Sequence, residues 1–316
     1  MCVCKNVQSW ISKYRPMKLI DTYIDKKLEE KFFLIIKINS IPNLIIFGPP
    51  GCGKTTIGKF KLFLIFHSLM NLEINASHTR GVDIVRIKIK SFCQTKTNLK
   101  NNLKKLIIID EAESLTDTAQ EALRRTVENF SQIARFILIC NYPSKIIEAI
   151  QSRCAILRFK KIKEWLILRN IIKIFYWENI LFSIAGLELL IFLAEGDIRR
   201  ILNESEKIFK SFLVITNKTV NISCFFPEVF MLGEFLQNSF NQNYISAYEI
   251  FVDICNYGLD PIEIFQGIFR ILKKMQSSSS KKIKILKMLC EFQIGFFQNK
   301  FKIDFIISVL KKIKQF

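Results

Sequence analysis

The run Gly48-Pro-Pro-Gly-Cys-Gly-Lys54-Thr55 fits G-x-x-x-x-G-K-[ST] completely. The chemistry of that spacing is phosphate binding. Glycines let successive backbone N–H groups turn inward around phosphate oxygens, and a helix beginning near Thr55 adds the positive end of its dipole. Lys54 would reach the β- and γ-phosphates of ATP, and the Thr55 hydroxyl would hold Mg²⁺. Gly48, Pro49, Pro50, Gly51, Cys52, Gly53, Lys54, Thr55 and Thr56 are therefore candidate nucleotide contacts.

Such a loop needs a second acidic group for the metal and a base for the attacking water. The run Leu106-Ile-Ile-Ile-Asp110-Glu111 supplies both at the end of an apolar block of strand length. Asp110 would position Mg²⁺ with Thr55, and Glu111 would polarise water. An acidic pair after a strand also serves as a helix N-cap, so the pair gains its meaning from the phosphate loop.

The elements that must position these groups can be read from hydrophobic patterning. Leu44–Phe47, Leu72–Asn75, Leu106–Asp110, Phe136–Cys140 and Ala155–Phe159 are apolar, β-branched or aromatic blocks separated by amphipathic stretches. Strands alternating with helices predict an α/β fold, a parallel sheet covered on both faces, with ligands at its C-terminal edge. From about Lys161 the pattern turns helical, with Gly196 before a helical run Asp197–Phe212, and the polar stretch 216–221 reads as a break before a third helical block. A softer break falls at Gln276–Ser280. This predicts three domains: 1–160, 161–217 as a small helical lid, and an all-α 218–316.

The motifs, in their order, resemble the small subunits of replication factor C, the AAA+ ATPases of the sliding-clamp loader. They are Trp10-Ile-Ser-Lys-Tyr-Arg-Pro16, the phosphate loop, Asn75-Ala-Ser-His-Thr-Arg-Gly81, Asp110-Glu-Ala-Glu113, Ala122-Leu-Arg-Arg-Thr126, Cys140-Asn-Tyr-Pro143, Ser152-Arg-Cys154 and Gly196-Asp-Ile-Arg-Arg200. The match is dense over about residues 8–205. Beyond that, Gly258–Arg270 still resembles the family's C-terminal collar. Glu113 stands where the family usually has Asp.

The resemblance implies roles. Ile11 and Arg15 would pack around the adenine and phosphates, Asn141 would be the first sensor at the γ-phosphate, and Arg199 the second, carried by the lid. Arg153 would enter a neighbour's ATP site as an arginine finger, so the catalytic set becomes Lys54, Asp110, Glu111, Asn141 and, in trans, Arg153. Implied partners are other replication factor C subunits in a hetero-pentamer, a ring-shaped clamp and primer-template DNA, in a nucleus or a nucleus-like compartment.

DNA contact has a local argument as well. On a helix, Val82, Val85 and Ile89 form one apolar face while Asp83, Arg86 and Lys90 form another, so Arg86 and Lys90 could grip one phosphate backbone. On the residues alone a solvated face is the simpler reading. Arg124 and Arg125 are open between DNA and a neighbouring nucleotide site.

Composition narrows the rest. Across 316 residues, 47 Lys plus Arg against 28 Asp plus Glu leave a charge of +19, which favours polyanionic partners, although abundant Lys with 29 Phe and many Ile also fits compositional drift. The segment 281–316 holds nine Lys against Glu291 and Asp304 at helical spacing, which reads as a solvated face. Nine cysteines, odd in number and without a CxxC pair, argue against a disulfide framework or zinc site. The first residues carry no apolar leader, and the most apolar stretch, 171–194, is broken by Glu178 and Glu188, so neither secretion nor a membrane span is expected. Two other readings stand beside the main one: a non-hydrolysing AAA+ subunit that serves as scaffold and finger donor, and another DNA-linked AAA+ motor.

Overall fold

A computed structural model describes residues 8–16, 42–58, 71–78, 81–95, 105–223, 228–241, 243–256 and 261–274, with the single positions 28, 30, 31, 283, 286, 287 and 290. The break at Gln276–Ser280 and nearly all of the Lys-rich 281–316 lie outside them. Two compact units emerge, residues 1–220 and 221–316.

The first unit is built on five strands: β1 (Leu44–Phe47), β2 (Asn71–Asn75), β3 (Lys105–Asp110), β4 (Ala134–Cys140) and β5 (Ala155–Arg158). They run in the order β2-β3-β4-β1-β5, and every pairing is parallel. The five apolar blocks of the sequence are these strands, displaced by at most two residues at their ends. The three inner strands are buried almost throughout while β2 and β5 are partly exposed, as expected for a sheet covered on both faces.

Alternate residues sort to the two faces. Ile107 and Ile109 with Phe136, Leu138 and Cys140 form one cluster with Ala119, Leu123 and Val127 of helix Asp117–Asn129 and with Ile89 and Cys93. Phe136 is fully buried there, so its truncation to Ala should cost about 3–5 kcal/mol. On the opposite face the helical residues 54–58 press so close that a methyl on Gly58 would sit 2.9 Å from Ile139 Cδ1.

Helix α1 (Trp10–Lys13) opens the described chain. Residues Ile84–Ile89 form a π-helical stretch that leads into α2 (Lys90–Gln94). At the end of α2, the buried Lys105 at the start of β3 donates to the Phe92, Cys93 and Thr95 carbonyls at 2.6, 3.1 and 2.5 Å and to Thr95 Oγ1 at 2.9 Å. A cation thus satisfies the orphan carbonyls that every helix leaves at its C-terminus. In α3 (Asp117–Asn129), Thr116 Oγ1 accepts from the Ala119 N–H and Asp117 occupies the first turn, both favourable at a helix N-terminus.

After α4 (Glu148–Gln151) and β5, the chain becomes helical: α5 (Glu164–Trp177), α6 (Ile184–Ala194), α7 (Ile198–Phe212) and α8 (Asn217–Ser223). Ser183 caps α6, and Asp197 caps α7 by accepting from the N–H groups of Arg199 and Arg200. Two features differ from the sequence expectation. A two-stranded parallel ribbon, β6 (Leu181–Phe182) with β7 (Val214–Ile215), joins the ends of this region. The stretch 216–221 is helical from Asn217, the start of α8, because Thr216 and Thr219 exchange backbone and hydroxyl bonds across its first turn.

The second unit contains α9 (Glu228–Phe240), α10 (Tyr244–Asn256) and α11 (Pro261–Lys274). Leu232, Phe235, Leu236, Ala247, Ile254, Ile264, Ile268 and Leu272 are buried in it. Gly267 lets α11 approach α9, since a methyl there would lie 2.5 Å from Leu232 Cδ1.

Candidate active site

The loop 48–53 connects the C-terminal end of β1 to the helical residues 54–58. Gly51 and Gly53 have φ of 67° and 84°, values in the left-handed region that glycine adopts without a Cβ penalty. Gly51 has a second reason to be glycine, since an added Cβ would fall 1.8 Å from Asp197 Oδ1. The loop therefore rests against the cap of α7.

Lys54 is buried, and its ammonium donates to the carbonyls of Gly48 and Pro49, each at 2.7 Å, and to Asn141 Oδ1 at 2.8 Å. Burial pushes the Lys54 ammonium down from its usual range; Cys52 and Glu113 act against that, and the charge of Arg199 adds to it. Arg199, exposed at the first turn of α7, thus lies within electrostatic reach of the loop. Cys52 is buried with its thiol donating to Pro49 O at 2.9 Å; Thr56 is buried, Pro49 half-buried and Pro50 exposed.

Thr55 Oγ1 donates to Asp110 Oδ1 at 3.3 Å across the gap between the loop and the end of β3. A hydroxyl and a carboxylate side by side are the oxygen donors a hard divalent cation takes, so these two residues fit Mg²⁺ accompanying a nucleoside triphosphate. The glycine turns and the buried ammonium fit its phosphates. Glu111 follows Asp110, exposed and in the left-handed conformation at φ 54°, a costly backbone for a residue with a side chain and one that concentrates at functional turns. The Glu111 N–H donates to Asp110 Oδ1 at 3.1 Å, and the Ser114 N–H donates to the Glu111 carbonyl at 2.9 Å, which ties the turn together.

Asn141 follows β4. Its backbone N–H donates to both carboxylate oxygens of Glu113, at 3.0 and 3.1 Å, and its Nδ2 donates to Oε1 at 2.7 Å. Glu113 was not among the candidate residues from the sequence, although its place two residues after Glu111 puts it in the same turn.

The remaining candidates are placed elsewhere. Arg153, exposed in the turn after α4, pairs with Glu128 at 2.7 Å and donates to Ala149 O at 2.6 Å. Arg124 reaches the same Glu128 carboxylate oxygen at 3.4 Å, so Arg124 sits beside Arg153 whereas Arg125 is exposed along α3. Lys90 is exposed at the start of α2; the side chain of Arg86 lies outside the described residues. Ile11 is half-buried and Arg15 exposed on a segment anchored to the helices of 161–217.

That anchoring is dense. The Trp10 N–H donates to Glu206 Oε2 at 2.9 Å, and the Trp10 ring packs on Phe209 with centroids 5.8 Å apart. Lys13 and the Tyr14 hydroxyl both donate to Glu178 Oε1, at 2.6 and 2.5 Å, while the Tyr14 ring stacks on Trp177 at 6.0 Å. Burial works to raise the Glu178 carboxyl, but the bonds from Lys13 and Tyr14 outweigh it and hold the group below the usual carboxylate range. Glu206 is likewise held low by Lys210 and the Trp10 N–H against its own burial.

Sheet order, phosphate loop and acidic strand end together define a P-loop ATPase of the AAA class, and residues 44–162 match the family described as ATPase family associated with various cellular activities (AAA). Full-length relatives narrow this further. The chain belongs to the replication factor C small-subunit family. It is 36% identical over 287 residues to replication factor C subunit 2 of Arabidopsis thaliana, covering 89% of this chain and 85% of that one. With replication factor C subunit 4 of Saccharomyces cerevisiae it shares 35% over 286 residues, 88% and 87% of the two chains. With the replication factor C small subunit of Methanococcus maripaludis it shares 32% over 291 residues, 90% and 92%. A solved structure of the Thermotoga maritima RuvB Holliday junction branch migration motor superimposes with a TM-score of 0.51 over 71% of this chain and 78% of that one, at 16% identity, a likeness of fold. No described helix is long and apolar enough to cross a membrane.

Proposed function

We propose that this chain is an ATP-hydrolysing subunit of a clamp loader, in which ATP binding and hydrolysis drive the opening of a ring-shaped sliding clamp and its loading onto primer-template DNA. The observation that carries the reading is the convergence of Lys54, the Thr55–Asp110 pair, Glu111 and Asn141 at the C-terminal ends of the neighbouring strands β1, β3 and β4. In this reading Lys54 and the loop amides hold the phosphates, Thr55 and Asp110 hold Mg²⁺, Glu111 polarises water and Asn141 orients it. Arg199, on a lid spanning 161–217, reports the γ-phosphate. Ile11 and Arg15 contact the nucleotide from a segment fixed to that same lid.

Arg153 serves a neighbour's site in trans, with other replication factor C subunits completing a hetero-pentamer through the collar 218–316. Lys90 and Arg86 hold the DNA backbone by charge without reading bases. In this reading the work is done in a nucleus or a nucleus-like compartment that contains DNA.

Lys54→Ala in the reconstituted complex should abolish ATP-dependent clamp loading, and unchanged loading would overturn the reading. Glu111→Gln separates it from a scaffold role. If this subunit hydrolyses ATP, the variant lowers the complex's DNA-stimulated turnover; if it is a scaffold, that turnover is unchanged.

A further inference from the structure

We propose that Glu113 is a positioning residue for hydrolysis, fixing the amide of Asn141 so that its oxygen and not its nitrogen faces Lys54. This rests on the reading of Asn141 as the γ-phosphate sensor.

An asparagine amide has two orientations of nearly equal shape, and only its hydrogen-bond partners choose between them. Here both sides choose the same one. An ionised carboxylate can only accept, so Glu113 Oε1, 2.7 Å from Nδ2, demands the NH₂ group. An ammonium can only donate, so Lys54 Nζ, 2.8 Å from Oδ1, demands the oxygen. The reversed amide would set oxygen against oxygen and nitrogen against nitrogen.

Glu113 also grips the backbone. Both of its oxygens accept the Asn141 N–H, so the residue that follows β4 is held at two points by one charged group. Charge-assisted bonds are roughly twice as strong as neutral ones, and this pair is half-buried, where water competes poorly. Glu113 belongs to the same tight turn as Glu111, so one carboxylate ties the water-polarising residue's turn to the end of the strand that carries the sensor. The bond lengths are made by a glutamate. An aspartate, shorter by one methylene, reaches both Asn141 groups only if the turn moves toward β4.

The test uses the reconstituted complex with Glu113→Ala, Glu113→Gln, Glu113→Asp and Asn141→Ala, alone and in double combination. Hydrolysis at saturating ATP is measured beside equilibrium binding of a non-hydrolysable ATP analogue, and the Asn141 side-chain ¹⁵NH₂ resonance is followed in the full chain. Glu113→Ala is expected to slow turnover by about tenfold or more with analogue affinity within about threefold, and to move the Asn141 resonance. Glu113→Gln, which keeps the volume and guards against misfolding, should do the same to a smaller degree, and Glu113→Asp should fall between Gln and wild type. Added to Asn141→Ala, Glu113→Ala should cost no further turnover. Wild-type turnover in Glu113→Ala, or additive losses in the double variant, overturns the proposal. Wild-type turnover in Asn141→Ala overturns the sensor reading instead, so the two failures are distinct.

Discussion

Gly51 and Asp197 meet so closely that the glycine hydrogen occupies the only space a side chain could take, with Asp197 Oδ1 1.8 Å from an ideal Cβ. The phosphate loop and the first turn of α7 therefore share one contact, and Asp197 uses the same oxygen to cap that helix. Gly51→Ala should push α7 away, adding to the strain of a left-handed alanine of about 1 kcal/mol. We expect the melting temperature to fall by at least about 2–4 °C and ATP-analogue affinity by about tenfold or more. Asp197→Ala should give the thermal loss alone, about 1 kcal/mol for a lost cap. Calorimetry and analogue titration on the two variants check this.

Acidification should release α1 from α5 and α7. Glu178 and Glu206 are both held below the usual carboxylate range by their partners, so their contribution is complete above their unfolded pKa and is lost as pH falls through the depressed folded values. The window lies below about pH 4. Emission from Trp10 and Trp177 should change there before the rest of the chain unfolds. Glu178→Gln should bring that change up to neutral pH, and an unaltered profile in this variant would rule out the pairing as its cause.

Removing the buried ammonium of Lys105 should unravel the end of α2. Lys105→Met removes the ammonium from four oxygens, of which Phe92 O keeps the Thr95 hydroxyl as a donor at 2.8 Å, at about 1–3 kcal/mol for each one that is left unpaired and that water cannot reach. Thr95 is exposed, so solvent recovers part of the loss and a total of about 2 kcal/mol is expected. Hydrogen exchange should accelerate in residues 90–95 and stay slow in β4.

Arg153→Ala should leave the chain's own stability within about 0.5 kcal/mol, since the Arg153–Glu128 pair is well exposed and such pairs contribute little. Turnover at the neighbouring subunit's site in the reconstituted complex should nevertheless fall by about 10³-fold or more. A variant that melts early, or one that hydrolyses normally, contradicts the trans assignment of this residue.

Thiol reagents should spare Cys140 at neutral pH. Burial, with the nearby Glu113 charge adding to it, pushes that thiol up to about 12, and burial pushes Cys154 up to about 11. Mass spectrometry after brief maleimide treatment should find Cys290, which is exposed, labelled first of the three.

What the sequence revealed and what it hid divide along a physical line. The strands Leu44–Phe47 and Lys105–Asp110 were legible because buried parallel strands are unbroken apolar runs, and the loop between Gly48 and Thr55 because phosphate chemistry requires those residue types in sequence. Glu178 and Glu206 left no such trace: their partners Lys13 and Trp10 lie 165 and 196 residues away, and nothing local marks a carboxylate that will meet them. The ribbon of Leu181–Phe182 with Val214–Ile215 is too short for periodicity to register. Thr216 and Thr219 hid a helix start behind a polar, β-branched composition, since here they cap α8. Glu113 was visible but undervalued, because a conservative exchange reveals nothing about reach until the distance to Asn141 is known.

The parallel register carries one more consequence. Leu44 pairs with Ala155 and Phe47 with Arg158, so Gly48 leaves β1 at one edge of the sheet while Arg153 approaches β5 at the opposite edge. At about 3.3 Å per residue the two lie about 17–20 Å apart along the strands, farther than an arginine side chain spans. With Arg153 acting in trans inside the proposed hetero-pentamer, each chain has a donor surface and an acceptor surface, and the donor of one chain meets the acceptor of the next. Assembly is then directional, head to tail. Unless its rotation closes the circle, the arc ends with an arginine that has no nucleotide to serve and, at the other extremity, a nucleotide site that no arginine reaches.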